Sequence, residues 1–276
     1  MNPVEKALWY VESHFGRPLS LDEISDAGGV SRHHMVRAFG AVTGRSVMAY
    51  ARGRRLTVAA QALADGAPDI LGVALDAGYE SHEAFTRAFR DQFGQTPEQV
   101  RSGACLDQLN LVEPLRMTQT LTDISPPRFE TGKPMLIAGL TERYNQETTA
   151  GIPAQWQRFQ PWLGQIPGQV GDVAYGVCYN GDGEGNIGYM SGVEVSDFGD
   201  LPPELSKVRL PAQTYAVFTH KGHVGDVHHT WTTIWNRWFP DSGKQHADAP
   251  DFERYGPEFD PRTGLGGFEI WVPIKG

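Results

Sequence analysis

Residues 21–46 recur fifty positions downstream: Asp26-Ala27-Gly28, Ser31, Arg37-Ala38-Phe39 and Gly44 return as Asp76-Ala77-Gly78, Ser81, Arg87-Ala88-Phe89 and Gly94. With Leu21 and Leu71 this makes nine identities in 26 aligned positions, against roughly two by chance for such compositions. The first third of the chain must therefore fold as two copies of one small unit. A helical solenoid is the competing architecture, but it usually needs three or more repeats.

Each copy carries the parts of a helix-turn-helix. A short amphipathic stretch, 21–27 or 70–77, runs into Gly28 or Gly78, a residue free to take the positive φ of a tight turn. Ser31 or Ser81 then offers a hydroxyl to cap a second helix. In that helix Met35, Ala38, Phe39 and Val42 fall at i, i+3, i+4 and i+7, and Phe85, Ala88 and Phe89 repeat the stripe, so one face is buried. The opposite face reads Arg32, His33, Val36 and Arg37 in the first copy, and His82, Glu83, Thr86, Arg87 and Arg90 in the second. These groups can read base edges: arginine forks onto guanine, glutamate accepts from the cytosine amine, and valine or threonine methyls touch the thymine methyl. Arginine on the wet side of one capped helix is ordinary surface; two such helices in register point to double-stranded DNA.

The segment between the copies, 46–63, is rich in helix formers and could run about 27 Å. It ends in Asp65-Gly66-Ala67-Pro68, a glycine stop followed by proline. A rigid helix of that length can hold two reading heads about one DNA turn apart, roughly 34 Å. Arg52, Arg54 and Arg55 on it are candidate phosphate contacts, or equally a solvated cluster.

The segment LDEISDAGGVSRHHMVRAFGAVTGRSVMAYARGRRL, followed by ILGVALDAGYESHEAFTRAFRDQFGQTPEQVR, resembles the two-headed DNA-binding domain of AraC/XylS transcription regulators. Gly78-Tyr79, Ser81, Phe85, Arg87, Phe89, Phe93-Gly94 and Thr96-Pro97 are the specific part of the match. With an opening helix over 3–15, the resemblance covers most of residues 1–102. It implies base reading by His33, Val36 and Arg37 in the first head and by His82, Glu83 and Arg87 in the second. The family often has larger polar or aromatic groups at the places of His33 and Val36, so no relative's operator sequence transfers.

Charge and aromatic content divide the chain. Residues 1–105 hold 11 Lys+Arg and 12 Asp+Glu, leaving 13 and 21 for 106–276. The head is thus not basic overall, unlike most DNA binders, and nonspecific DNA affinity should be weak and strongly salt-dependent. The second part holds the acidity and six of the seven tryptophans, which sets a domain boundary at about 103–114 and domains of 1–105 and 106–276. No apolar run approaches the 18 residues of a membrane span, and no charged-then-apolar leader opens the chain. The expectation is a cytoplasmic, nucleoid-associated protein whose Cys105 and Cys178 are free thiols.

The second domain is expected to be α+β. Strands fit 116–121, 135–143, 173–179, 188–195, 214–220 and 267–273, and helices fit 151–163 and 226–239, with a hairpin turn over 180–185. That order describes two strand-helix-strand-strand halves around one antiparallel sheet. Helix 226–239 sets Trp231, Ile234, Trp235 and Trp238 on one face, as core packing or as more than core. On the last strand Glu269 and Trp271 alternate with Phe268, Ile270, Val272 and Ile274. A carboxylate beside an indole can hold a cation against a ring face, or Glu269 can lie on a wet sheet face.

The run TYAVFTHKGHVGDVHHTWTTIWNRWFPDSG, then DFERYGPEFDP and FEIWVPIK, resembles the GyrI-like effector-binding domain of Rob-like regulators, over about 115–276. The resemblance implies a pocket for a small hydrophobic, often cationic, effector. By position it implicates Glu269, with Trp231, Trp235, Tyr255, Phe268 and Trp271, and less directly Tyr175, Tyr189 and Trp156. The motif 251–255 matches the family as a structural rather than a ligand-facing feature. Some proteins similar in fold hydrolyse small strained substrates, with His228 or His229 and Glu269 as the acid/base pair to consider. No nucleophile-base-orienter series stands out, and the histidines at 220, 223, 228 and 229 lack the spacing of a metal site.

The sequence thus describes a ligand-responsive transcription regulator, not an enzyme, with neither cofactor nor metal. Its expected partners are promoter DNA, a small hydrophobic effector and RNA polymerase. A small-molecule hydrolase fused to a DNA-binding head, and a protein-binding scaffold, are the competing classes.

Overall fold

The structure is a computed structural model that describes residues 2–103, 106–115, 121–145, 148–182 and 185–276. The first part is all helical: α1 Pro3–His14, α2 Leu21–Gly28, α3 Arg32–Thr43, α4 Val47–Ala64, α5 Ile70–Asp76, α6 His82–Phe93 and α7 Pro97–Arg101. Local chemistry sets the starts. Asn2, Ser20 and Thr96 each form a reciprocal capping box with the residue three positions on, and Ser31, Ser46, Asp69 and Ser81 cap with one side-chain bond. Helices α2–α3 and α5–α6 are the two repeats, and α4 joins them as expected. Met35, Ala38, Phe39, Phe85 and Phe89 are fully buried.

The two turns are not identical. In the second copy Gly78 takes the left-handed conformation, but in the first Gly29, not Gly28, does so. Helix α2 runs on through Gly28, where a Cβ would stand 2.3 Å from Met35 Cε. A side chain at Gly28 would have to displace the Met35 terminal methyl, and the left-handed turn falls one residue later.

The second part is built on one eight-stranded antiparallel sheet, ordered β1-β6-β8-β7-β3-β4-β2-β5. The strands are β1 Arg128–Gly132, β2 Met135–Tyr144, β3 Gln169–Tyr179, β4 Ile187–Val195, β5 Ser206–Leu210, β6 Gln213–His220, β7 Asp251–Tyr255 and β8 Phe268–Ile274. Helix α8, Ile152–Phe159, lies between β2 and β3. Between β6 and β7 run α9 (Val227–Thr233), a π-helical turn (Ile234–Trp238) and α10 (Phe239–Ser242). The two expected halves are present, β2-α8-β3-β4 and β6-α9-β7-β8, abutting at β3–β7. Each half has a leading strand, β1 or β5, that the sequence reading lacked; both lie on the far edge of the other half. The expected strand at 116–121 and the tip of the hairpin at 183–184 fall mainly outside the described residues.

The two parts share a core. Leu8, Met35, Val36 and Phe39 of the helical part pack in one cluster with Trp231, Trp235, Phe239, Phe268 and Ile270. The connecting segment lies along α4: Val112 N–H donates to Thr57 Oγ1 (2.9 Å), and Arg54 Nη1 donates to the Val112 carbonyl (2.8 Å). Arg54 also pairs with Glu12 and is buried, so it is a structural residue and not a phosphate contact. Arg55 lies over the Tyr79 ring, and Arg52 is exposed.

Candidate functional site

The two candidate reading helices face different surroundings. On α6, His82, Glu83, Arg87 and Arg90 are exposed and Thr86 is half-buried; together they line an open groove on the outer face. On α3 only Arg32 is exposed, paired with Asp22. Val36 is 7% exposed and the Arg37 side chain 11%. His33 and Arg37 are covered by the second domain, against α9, the π turn and β7.

That contact is specific. Arg37 Nη2 donates to Asp251 Oδ2 at 2.9 Å, and its guanidinium carbon lies 5.0 Å over the Trp231 ring and 5.8 Å from that of Trp235. Burial works against the charge of Arg37, but Asp251, Cys178 and Glu253 outweigh it and raise its pKa. His34 Nε2 bonds the Trp235 carbonyl at 2.8 Å, and the His33 ring stacks on His246 at 4.4 Å. Thr232 Oγ1 donates to the Ala41 carbonyl and Asn236 Nδ2 to that of Ala38. Burial lowers the His34 pKa to about 4 and that of His246 to about 2, so both imidazoles are neutral near pH 7.

Beneath Arg37 lies an aromatic box closed around Glu253. Its carboxylate is buried and accepts from Trp231 Nε1 (3.1 Å), Tyr255 OH (2.8 Å) and Tyr189 OH (3.1 Å). Tyr189 OH in turn accepts from Trp156 Nε1 at 2.9 Å, and the Trp156 and Tyr255 rings meet edge to face. Phe268 packs on Tyr255 at 4.6 Å. Burial pushes the Glu253 carboxyl above its ordinary pKa, opposed by these three donors and Arg37. It pushes the Tyr189 and Tyr255 hydroxyls well above theirs. The Cys178 thiol, also buried here, is raised to about 12. Strand alternation explains why β7 delivers these groups: Asp251, Glu253 and Tyr255 share the face toward the helices, while Phe252 and Arg254 point away.

The structure gathers Trp231, Trp235, Tyr255, Phe268, Tyr189 and Trp156 of the predicted lining but separates Glu269, Trp271 and Tyr175 from them. Glu269 is opposite Arg254, and Trp271 opposite Phe252, in the β7–β8 register, which puts both on the reverse sheet face. There Glu269 pairs with Arg128 (2.7 Å) and accepts from Trp271 Nε1 (2.9 Å). Tyr175 packs with Phe252 on that same face. The carboxylate in the aromatic site is therefore Glu253, from the motif read as structural. The signal available in the sequence was the i, i+2 spacing of Asp251, Glu253 and Tyr255. His228 and His229 are exposed, their rings tilted at 40° to each other with centroids 3.9 Å apart, and His228 bonds the Gly225 carbonyl; no contact joins either to Glu269 among the described residues. Among those residues no group of three or more His, Cys, Asp or Glu could hold a metal ion, and no helix is long and apolar enough to cross a membrane.

Known proteins match this arrangement. Residues 125–275 match the GyrI-like small molecule binding domain and residues 24–103 a helix-turn-helix domain. The chain is 29% identical to the transcriptional regulator Rob of Salmonella typhimurium, covering 95% of this chain and 92% of that protein. It is 28% identical to the right origin-binding protein of Escherichia coli K12, covering 99% and 98%. The regulatory protein SoxS of the same strain is 34% identical over 36% of this chain and 92% of its own length.

Proposed function

The chain belongs to the GyrI-like family, joined to an AraC-type helix-turn-helix head, and from that premise we propose how this DNA-binding transcription regulator reads its promoter and its effector. The exposed groove of α6 reads one major groove through His82, Glu83, Thr86, Arg87 and Arg90. The corresponding face of α3, with Arg32, His33, Val36 and Arg37, reads a neighbouring one. Because the arginines match while His33 and Val36 stand against His82 and Glu83, the two half-sites differ in sequence.

The effector is an apolar organic cation with aromatic groups. The observation that carries this reading is the Glu253 carboxylate, buried at the foot of an aromatic box with Asp251 beside it. A buried anion stabilises a cation far more than water does, and Trp231, Trp235 and Tyr255 offer ring faces to an aromatic body. The box serves binding and not turnover, since Glu253 is already engaged by three donors. Two of the relatives named above are the transcriptional regulator Rob and the regulatory protein SoxS, which supports the same conclusion, and RNA polymerase is the partner through which promoter occupancy acts.

Tetraphenylphosphonium titrated into the full chain tests the effector reading. Stacking on the indoles of Trp231 and Trp235 should quench tryptophan emission saturably. A full titration without quenching, together with no heat of binding, would overturn it.

A further inference from the structure

We propose that Arg37 is the internal occupant of the cation site, and that the same contact hides the reading face of the first head. This rests on the DNA and effector readings given above. The guanidinium makes the contacts that an organic cation would make: an ion pair with Asp251, a ring face of Trp231 at 5.0 Å, and the field of Glu253 below. In this arrangement α3 cannot enter a major groove, because His33, Val36 and Arg37 are covered while Ala38 and Ala41 receive hydrogen bonds from Asn236 and Thr232. DNA and the second domain thus compete for one helix face. A cation that takes the site displaces Arg37, frees α3 and lets both heads bind.

The lock is built to open. Arginine can bind a carboxylate through two parallel bonds, yet Arg37 and Asp251 share one. Asp251 Oδ1 and Arg37 Nε have no hydrogen-bond partner among the described residues, nor have His33 Nδ1 and His246 Nε2 across the stacked pair. A docked face with several unmet polar atoms is held less tightly than its area implies. That is the property needed for a small ligand to shift the balance, since a ligand moves an equilibrium only by its differential affinity for the two states.

The test uses the full chain and a duplex selected from a random pool in the presence of tetraphenylphosphonium. Asp251→Asn removes the partner of Arg37, and should tighten DNA binding about tenfold or more in the absence of cation. Tetraphenylphosphonium should tighten binding by the parent protein and add little to the variant. A second variant does not depend on weakening the fold: His33→Cys/His246→Cys in a Cys105→Ser background, bridged by a short bis-maleimide across the stacked pair. The bridged protein should bind DNA about tenfold or more weakly than the same protein capped with a monofunctional maleimide, and ignore the cation. Equal affinities for bridged and capped protein would overturn the lock, as would an Asp251→Asn protein that folds but gains no affinity. Arg87→Ala separates the layers. If it leaves DNA binding intact, the base-reading assignment has failed; if it weakens binding while the bridge has no effect, only the lock has failed.

Discussion

Glu253→Gln keeps the shape of the aromatic box and removes its buried charge, so it isolates the electrostatic part of cation recognition. The geometry fixes the expected size. Arg37 marks where a cation rests, 5.0 Å over the Trp231 ring, and that ring's Nε1 lies 3.1 Å from Glu253. A ligand cation therefore stands about 6 Å from the carboxylate, where attraction at an effective dielectric of about 20 amounts to about 3 kcal/mol, two orders of magnitude in Kd. Arg37, the internal competitor, loses part of the same attraction, which trims the net weakening to about tenfold or more. Calorimetric titration of tetraphenylphosphonium, run beside neutral triphenylphosphine oxide, measures it. The cation should weaken selectively, while the thermal midpoint at pH 7.5 stays level or rises because a desolvated charge has gone. If both ligands weaken alike, or neither does, Glu253 is not the anion of the site.

Arg87→Ala should cost about 1–3 kcal/mol of DNA binding and relax base preference at one position, whereas Arg32→Ala, tied to Asp22 at the surface, should change affinity less; quantitative gel shifts on the selected duplex decide this. Arg54→Ala leaves Glu12 without its partner and the Val112 carbonyl without a donor, so urea unfolding should report a loss of about 3 kcal/mol; a value under about 0.5 would mean the pair is not structural. Acid should loosen the docked face. The folded pKa values of His34 and His246, about 4 and about 2, lie below the ordinary 6.5. Docking therefore has their full support above pH 6.5 and loses it as pH falls. Between pH 7.5 and 5.5 each imidazole withdraws about 1 kcal/mol, and neighbouring His33, whose pKa burial also lowers against the fields of Asp251 and Asp248, acts in the same direction. Amide exchange across α3, corrected for intrinsic pH dependence, should accelerate; unchanged protection at pH 5.5 would refute it.

The helical head was legible because its information is local. Capping serines, turn glycines and the 3.6-residue stripe each act within a few positions, and the duplication checks each reading against the other copy. Gly28 shows the limit: sequence reads a turn glycine there, whereas α2 runs on through it and the left-handed residue is Gly29. The sheet was legible where strands are apolar and alternate, and short edge strands such as β1 and β5, half exposed, gave weaker patterns. Which glutamate faces the helices could not be read from the sequence, for a geometric reason. Glu253 and Glu269 both sit beside aromatic residues in sequence, and only the antiparallel register of β7 on β8 decides that they occupy opposite faces. Arg37 could not be placed at all from its own segment, since its partner Asp251 is 214 residues away.

Hydroxyl-radical footprinting of the selected duplex by the full chain tests the central claim most directly. Without cation, the exposed α6 head should protect a single window; with tetraphenylphosphonium, a second should appear about one helical turn away and be absent from Arg37→Ala. Two windows of equal strength before any cation is added would contradict the account.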